Sequence, residues 1–401
     1  MEVSKSVHVM SKPTGSVCNL DCDYCFYLEK EKLYPERNAN WQMSDETLEA
    51  YIRQHIEAQH TDHVTFAWQG GEPLMMGIVF FQRALKLQHQ YANGKTIDNT
   101  LQTNGVLLND EWCALFKQNN FLIGISIDGP KHLHDKHRTT RSGKGSYQKV
   151  VEGIRLLRIH GVQFNTLTVV GSHNVDHAIE VYQHLKSLGS DCHQYIPLVE
   201  RTSEQPTKDG IYLVSPEHNV AASVTDWSAP SLKFGRFLSA IFDYWVRNDV
   251  GTIFVPYFEN TLAGWAGEQG NMCTLAPRCG SAFALEANGD VYNCDHYVYP
   301  EFKLGNLHSR TLNEMNFSQQ NYEFGMKKKD LNAQCKSCSF LQLCNGGCPK
   351  QRFVPRIGDH AHNYLCEGYY QFFSHTQGKM LEMCKLWFEG RALTEIMANK
   401  R

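Results

Sequence analysis

The sequence lacks the features of a membrane-bound or strongly charged protein. No uninterrupted apolar run approaches the roughly 18 residues of a spanning helix, and the segment MEVSKSVHVMSK holds no apolar stretch typical of a secretory signal. Charge of one sign does not dominate either, because 39 Lys and Arg face 42 Asp and Glu, for a formal net charge of -3. We therefore expect a cytoplasmic protein with no nucleic acid and no membrane as partner.

Several catalytic motifs are absent as well. The 19 histidines form no HExxH pattern, and neither a GxSxG motif nor a phosphate-loop motif occurs. The chain also contains no internal repeat and no low-complexity segment. Hydrolase and nucleotidase functions therefore lose support.

Short apolar runs alternate with longer helical patterns between residues 5 and 235. Strands are predicted at residues 8–10, 64–68, 100–102, 122–127, 164–170 and 193–196. Helices are predicted at residues 44–59, 79–91, 148–160, 175–188 and 231–247, and Ser44 resembles a helix N-cap. This alternation indicates an α/β fold with a parallel sheet or barrel, whose chemistry lies at the carboxyl ends of the strands.

At 401 residues the chain is long enough for two units. The polar, turn-rich stretch at residues 200–230 is typical of a linker, and the cysteine-dense region follows it. We predict a boundary near residue 235, with one domain at residues 1–235 and a second at 236–401.

Cysteine is abundant in this chain. Fourteen cysteines without an export signal indicate metal ligation, because a reducing cytosol opposes disulfides. The i, i+4, i+7 spacing of Cys18, Cys22 and Cys25 could also place them on one face of a buried helix. Nearby turn formers such as Gly15 and Asn19 disfavour that alternative. Structural zinc normally takes four ligands, whereas three thiolates on a 4Fe-4S cube leave one iron open to another ligand.

Eight more cysteines form a second group, with the pattern Cys273-x5-Cys279-x14-Cys294 and Cys335-x2-Cys338-x5-Cys344-x3-Cys348-x17-Cys366. They make two sets of four, which is enough for two fully ligated 4Fe-4S clusters or for several zinc sites. Iron-sulfur and zinc ligation both remain open on this count alone.

The spacing of the first three cysteines, with Tyr24 just before Cys25, resembles the radical S-adenosylmethionine (SAM) superfamily. In that family the open iron binds SAM, and one electron cleaves SAM to a 5'-deoxyadenosyl radical. Gln69-Gly70-Gly71-Glu72-Pro73 and the segment from Gly124 to Arg138 are similar to further family motifs. The resemblance implies SAM contacts for Gly71, Glu72, Ser126 and Arg138, with Tyr27, Gln69 and Leu198 as secondary candidates.

The later cysteine pattern is similar to the SPASM domain of peptide-modifying radical SAM enzymes. By position, the resemblance implies that one auxiliary cluster is held by Cys273, Cys279, Cys294 and Cys348, and the other by Cys335, Cys338, Cys344 and Cys366. The implied fold is a partial (β/α)6 TIM-like radical SAM barrel, followed by a smaller cysteine-rich SPASM domain and a C-terminal helix.

Segments over nearly the whole chain resemble the anaerobic sulfatase-maturating enzymes, at residues 18–27, 69–74, 126–130, 194–197 and 293–297. These enzymes oxidise a Cys or Ser of a sulfatase, within C-x-P-x-R or S-x-P-x-R, to Cα-formylglycine. The resemblance implies three [4Fe-4S] clusters and SAM as cofactors, a sulfatase polypeptide as substrate, and an electron donor such as flavodoxin or ferredoxin. It also implies that Asp295 is the catalytic base for the hydroxyl or thiol proton. Burial is expected to raise the pKa of Asp295.

Two other functions remain open from the residues. A radical SAM and SPASM maturase of a ribosomally made peptide would use the same machinery to form a thioether or carbon crosslink. An iron-sulfur electron-transfer protein or a zinc-binding protein would explain the eight later cysteines. It would not explain the three-cysteine site and its glycine-rich companion segment.

Overall fold

The computed structural model describes residues 6–34, 41–217 and 221–398. Its strands are β1 (His8–Lys12), β2 (His63–Trp68), β3 (Thr96–Thr103), β4 (Leu122–Ser126), β5 (Phe164–Val170), β6 (His193–Pro197), β7 (Arg201–Thr202), β8 (Ser223–Val224), β9 (Ala282–Glu286), β10 (Asp290–Tyr292), β11 (Lys303–Asn306), β12 (Arg352–Val354) and β13 (His362–Asn363).

The α-helices are α1 (Asp45–Glu57), α2 (Ile78–Tyr91), α3 (Asp110–Gln118), α4 (Lys131–His134), α5 (Tyr147–Ile159), α6 (Ala178–Ser187), α7 (Ser231–Asn248), α8 (Pro256–Trp265), α9 (Leu312–Asn316), α10 (Gln319–Met326), α11 (Ala333–Lys336), α12 (Leu341–Cys344) and α13 (Cys366–Phe388). Short 3-10 helices lie at Leu28–Leu33, Pro73–Met76, Asp295–Tyr297, Pro300–Phe302, Lys327–Lys329, Pro349–Gln351 and Leu393–Ala398.

The six strands β1 to β6 run parallel to one another in the main sheet. Each pairs in parallel with the next, with helices in the connections, so that six carboxyl ends lie along one edge. Parallel strands require such crossover connections, and ligand sites in these folds lie at that edge. The predicted α/β fold with a partial (β/α)6 barrel is confirmed.

Local sequence explains how α1 forms and where it packs. The Ser44 hydroxyl accepts a hydrogen bond from the Thr47 amide at 3.2 Å, which caps the helix as predicted. Leu48, Tyr51 and Ile52 recur at helical spacing and are buried. Tyr51 packs edge-on against Phe66 of β2, with ring centres 5.4 Å apart. Full burial of a side chain such as Leu48 or Ile52 stabilises the fold by about 1.5–3 kcal/mol.

The sheet continues beyond β1 into the cysteine-rich part of the chain. β9 pairs in parallel with β1, with Lys12 opposite Glu286, and β10 and β11 follow as antiparallel neighbours. The main sheet therefore has nine strands in the order β11-β10-β9-β1-β2-β3-β4-β5-β6. Strands from residues 1–235 and from residues 236–401 thus belong to one sheet. The predicted domain boundary near residue 235 stays a prediction.

The long helix α13 packs closely against α7. A Cβ atom on Gly368 would lie 2.1 Å from the Ser231 carbonyl oxygen, and one on Gly235 would lie 2.3 Å from the Gly368 oxygen. The two backbones can touch only because both positions are glycine. Over the part of the chain that the structure describes, no helix combines the length and apolar character needed to span a bilayer.

Candidate active site

The three N-terminal cysteines lie in the loop that follows β1. The Cys25 amide donates to the Cys22 carbonyl at 2.9 Å, and the Cys18 sulfur accepts from the Leu20 amide at 3.4 Å. Burial raises the pKa of the Cys18 thiol to about 11 and also raises the pKa of Cys22 and Cys25. The Arg138 guanidinium opposes this shift at Cys22 and Cys25. Three half-buried thiols on one loop beside a cation fit the ligands of a [4Fe-4S] cluster.

Gly71 holds the turn after β2 against this loop. Its amide donates to the Gly15 carbonyl at 2.8 Å, and the Glu72 amide donates to the Val17 carbonyl at 2.9 Å. A Cβ atom on Gly71 would lie 2.0 Å from the Val17 oxygen, which is closer than van der Waals contact permits. The backbone that leads into Cys18 therefore depends on a glycine at position 71.

We expect Gly71→Ala to displace this loop and to reduce iron binding at the three-cysteine site. Relief of the overlap with the Val17 oxygen requires a backbone shift, which costs about 1–3 kcal/mol. The thermal unfolding midpoint and the iron content of reconstituted protein are the measurements. Gly378→Ala is the matched control, because a Cβ at that position meets nothing within 4 Å. Equal iron content and stability in the two variants would contradict the prediction.

Glu72 links the turns that follow β2 and β3. Its buried carboxylate accepts hydrogen bonds from the Leu74 amide at 3.0 Å, the Thr103 hydroxyl at 2.8 Å and the Asn104 amide at 2.8 Å. Burial raises the pKa of Glu72 to about 7, although these three bonds oppose the shift. The Asn104 side chain in turn donates to the Cys18 sulfur at 3.6 Å. Glu72 thus orients the loop beside the cysteines, and its contact with SAM stays a prediction.

Asp128 is a central residue of the site, although the sequence motif that contains it assigns it no role. It is fully buried after β4 and accepts hydrogen bonds from the Tyr24 hydroxyl, from Arg138 Nε at 2.9 Å and from the Val169 amide at 3.1 Å. Burial raises the pKa of Asp128, but Arg138 and two histidines bring it below its ordinary value. The carboxylate fixes the Arg138 guanidinium 5.5 Å from the centre of the Tyr24 ring, beside the cysteine loop.

Three of the predicted SAM contacts lie at strand ends. Ser126 is the last residue of β4 and is buried, while Gln69 comes directly after β2. Leu198 follows β6, is buried, and donates its amide to the Val170 carbonyl at 2.9 Å. The structure brings these residues to the edge where the cysteine loop begins. Their contact with SAM stays a prediction.

Asp295 meets Lys12 where the two parts of the chain join. Lys12 ends β1, and Asp295 follows Cys294 just beyond β10. Their ammonium and carboxylate groups form an ion pair, with side chains only 3% and 17% exposed. The Lys12 nitrogen also lies 4.3 Å from the centre of the Tyr27 ring, whose hydroxyl donates to Glu286. Tyr27 and Asp295 therefore share one cation.

The expected increase in the pKa of Asp295 is wrong. Burial raises this pKa, but the Lys12 ammonium and the neighbouring His296 and Lys350 lower it, and it lies below its ordinary value. The sequence motifs do not reveal this, because Lys12 belongs to the opposite half of the chain. Asp295 is therefore ionised and able to accept a proton.

Further lysines surround Asp295. Lys350 forms an ion pair with Glu200 and lies 4.5 Å from the centre of the Phe26 ring. Lys30 lies 3.1 Å from the centre of the Tyr299 ring, and burial, aided by Lys350, lowers its pKa to about 7. No sequence motif points to these residues. The positive charge of Lys350 stabilises the Asp295 carboxylate as an anion.

The eight later cysteines fall into two spatial groups, defined as group A (Cys273, Cys279, Cys294 and Cys348) and group B (Cys335, Cys338, Cys344 and Cys366). Burial, together with the other thiols of the same group, raises the pKa of Cys279 and Cys366 to about 12. A cavity of about 330 Å³ is lined by all four cysteines of group B. Four close thiols around a cavity fit a fully ligated cluster. The assignment of each ligand stays a prediction.

Comparison with known proteins places this arrangement in a family. The Radical SAM superfamily matches residues 13–185, and SPASM, an iron-sulfur cluster-binding domain, matches residues 273–339. The chain is 47% identical to the serine-type anaerobic sulfatase-maturating enzyme of Bacteroides thetaiotaomicron over 398 residues, which cover 98% of this chain and 95% of the relative. The chain belongs to the anaerobic sulfatase-maturating enzymes.

More distant members of this family agree. The cysteine-type anaerobic sulfatase-maturating enzyme of Clostridium perfringens is 32% identical over 381 residues, which cover 94% of this chain and 97% of the relative. The solved structure of native anSMEcpe with bound AdoMet matches with a TM-score of 0.80 and 30% identity, over 94% of this chain and 99% of that one. The predicted radical SAM enzyme with a SPASM domain, [4Fe-4S] clusters and SAM is confirmed. Family membership disfavours the crosslinking maturase and the electron-transfer or zinc-binding protein.

Proposed function

We propose that the chain oxidises a serine residue of a sulfatase polypeptide to Cα-formylglycine. The observation that carries this function is the ion pair between Asp295 and Lys12. It brings a carboxylate of the cysteine-rich part to the end of β1, from which the three-cysteine loop begins. The serine-type relative supports serine as the target, and the cysteine-type relative makes cysteine the second candidate.

Most of the predicted site residues are proposed to bind the cofactors. In this proposal Cys18, Cys22 and Cys25 hold one cluster, and groups A and B hold one each. When bound, SAM and its cluster would supply the abstraction of a hydrogen atom from the substrate Cβ, and the auxiliary clusters would supply an acceptor for one electron. The residues proposed to position SAM are Gly71, Glu72, Ser126 and Arg138, with Tyr27, Gln69 and Leu198 beside them.

Asp295 has the role of base. Conversion of the serine CH2–OH group to an aldehyde removes one hydrogen atom from Cβ, one electron and the hydroxyl proton, so the site needs a proton acceptor. The Lys12 ammonium keeps the Asp295 carboxylate ionised until it takes this proton. With a cysteine substrate the same step would give a thioaldehyde, and its hydrolysis would release sulfide.

An external electron donor belongs to the same proposal. SAM chemistry consumes an electron that no residue of the chain supplies. A small redox protein such as flavodoxin or ferredoxin is the class of partner that fits.

We expect the reduced enzyme with SAM to convert a short sulfatase-derived peptide with Ser at the target position into the aldehyde. Mass spectrometry would show the loss of two hydrogens. The matched Cys peptide is expected to give the same aldehyde at a lower rate, and an Ala peptide serves as the control. SAM cleavage that leaves both peptides unchanged, or that gives an internal crosslink, would overturn the proposed function.

A further inference from the structure

Two cations in the cysteine-rich part have no carboxylate partner among the described residues. Lys328 is only 1% exposed, and its ammonium donates to the Cys273 carbonyl at 2.6 Å and the Thr274 carbonyl at 3.0 Å. Arg352 is half-buried at the start of β12, and its donors likewise end on backbone carbonyls. Lys12 and Lys350, by contrast, each pair with a carboxylate. Carbonyl oxygens orient a cation but do not cancel its charge, which has to be balanced by another anion.

Arg352 is held by the loop that joins the two cysteine groups. Asn345, Gly346 and Gly347 connect Cys344 of group B to Cys348 of group A. Their carbonyls accept from the Arg352 guanidinium at 2.9, 3.0 and 3.3 Å, respectively. All three loop residues have positive φ angles, of 47°, 73° and 65°, which glycine adopts freely and which asparagine commonly adopts at the end of a helix such as α12. This left-handed run turns three successive carbonyls toward the Arg352 guanidinium.

The two cations are also tied to each other. Arg352 Nη1 donates to the Lys328 carbonyl at 2.7 Å, so the two residues stand side by side. Burial lowers the pKa of both cations, and cysteine thiols oppose the shift. For Lys328 these thiols are Cys279, Cys348 and Cys273, all of group A. For Arg352 they include Cys335 of group B as well as Cys348 and Cys279 of group A.

We propose that Lys328 and Arg352 are counter-cations that set the reduction potentials of the auxiliary clusters. Arg352 acts on the clusters of both groups, and Lys328 acts chiefly on the cluster of group A. A cluster with four thiolate ligands carries net negative charge, and its reduction adds one electron to that charge. A fixed buried cation stabilises the reduced form more than the oxidised form and so raises the potential.

This tuning serves the substrate oxidation directly. The substrate gives up a hydrogen atom, a proton and an electron, and Asp295 takes the proton. The electron needs an acceptor with a stabilised reduced form, and Cys294 of group A precedes Asp295 in the chain. The inference rests on the proposed function only in assigning one cluster to each cysteine group.

The test is a redox titration followed by electron paramagnetic resonance. The full-length chain carries Cys18→Ala, Cys22→Ala and Cys25→Ala, so that only the auxiliary clusters titrate. Into this background go the charge-removing changes Lys328→Gln and Arg352→Gln, and the charge-keeping controls Lys328→Arg and Arg352→Lys. Loss of a titration wave after replacement of the group B cysteines identifies which potential belongs to which cluster.

We expect Lys328→Gln to make the group A potential more negative and to shift the group B potential much less. Arg352→Gln is expected to move both. Each shift should be at least tenfold in the equilibrium constant of reduction, which is about 59 mV for one electron. The charge-keeping variants should stay close to the parent.

Two results would overturn the inference. One is a fully iron-loaded Lys328→Gln variant with unchanged potentials, which decides the matter even where Arg352→Gln fails to fold. The other is an Arg352→Lys shift as large as that of Arg352→Gln, which would indicate a purely structural role. If the background chain itself binds no auxiliary cluster, the proposed ligand groups fail instead, and the two failures are therefore distinguishable.

Discussion

Replacement of Cys18, Cys22 and Cys25 together by alanine is expected to abolish SAM cleavage and peptide oxidation completely. The open iron that binds SAM exists only on a cluster with three protein ligands, so no other cysteine group can substitute. The auxiliary clusters should remain, because groups A and B lie in a separate part of the chain. Reconstituted protein should thus lose about 4 of about 12 iron atoms.

Iron analysis and the formation of 5'-deoxyadenosine are the measurements for this variant. The matched control is Cys192→Ala, which removes a half-buried cysteine outside all three groups. It should keep the full iron content and the parent activity. A triple variant that retains SAM cleavage, or loses all of its iron, would show that the three cysteines do not hold an independent SAM cluster.

The second large effect is expected from Asp295→Asn. An amide of nearly the same shape cannot take the substrate hydroxyl proton, so peptide oxidation should fall by about 10²- to 10⁴-fold. Iron binding should be unchanged, because no cysteine is altered. SAM cleavage should continue in the variant, uncoupled from the formation of aldehyde.

The ratio of 5'-deoxyadenosine to aldehyde, measured by chromatography and mass spectrometry, tests this expectation. Asp243→Asn is the matched control, since that exposed carboxylate pairs with His375 on the surface of α7 and α13. Its ratio should equal that of the parent. An Asp295→Asn enzyme that forms aldehyde at the parent rate would remove Asp295 from the proposed role.

The elements of this fold that depend on local pattern can be predicted from the sequence. The run at residues 164–170 coincides with β5, and Ser44 caps α1 as its position before Asp45 and Glu46 indicates. Cysteine spacing is equally local and marks the three-cysteine site. The division of the eight later cysteines into groups A and B follows instead from the family resemblance, because Cys348 lies among the group B cysteines in the sequence. The helix α3 is not among the predicted helices, because its nine residues are fewer than the roughly 11–18 residues over which helical periodicity is recognised.

Contacts between distant parts of the chain cannot be predicted in this way. Backbone hydrogen bonds hold β9 to β1, and such pairing leaves no signature in residue type. Lys12 is an ordinary strand residue until that pairing brings Asp295 beside it. The predicted direction of the Asp295 pKa is wrong for this reason, because the prediction includes burial and omits the cation. Asp128 and Arg352 are absent from the predicted site because their roles also depend on tertiary contacts.

Because β9 pairs with β1, the barrel and the cysteine-rich part cannot be separated or exchanged independently of each other. A chain cut at residue 235 would keep the three N-terminal cysteines but expose the edge of β1, and Lys12 would lose its carboxylate partner. Open strand edges of this kind associate with other chains and aggregate. Exchange of the cysteine-rich part between relatives should therefore succeed only when β1 and its following loop are exchanged with it.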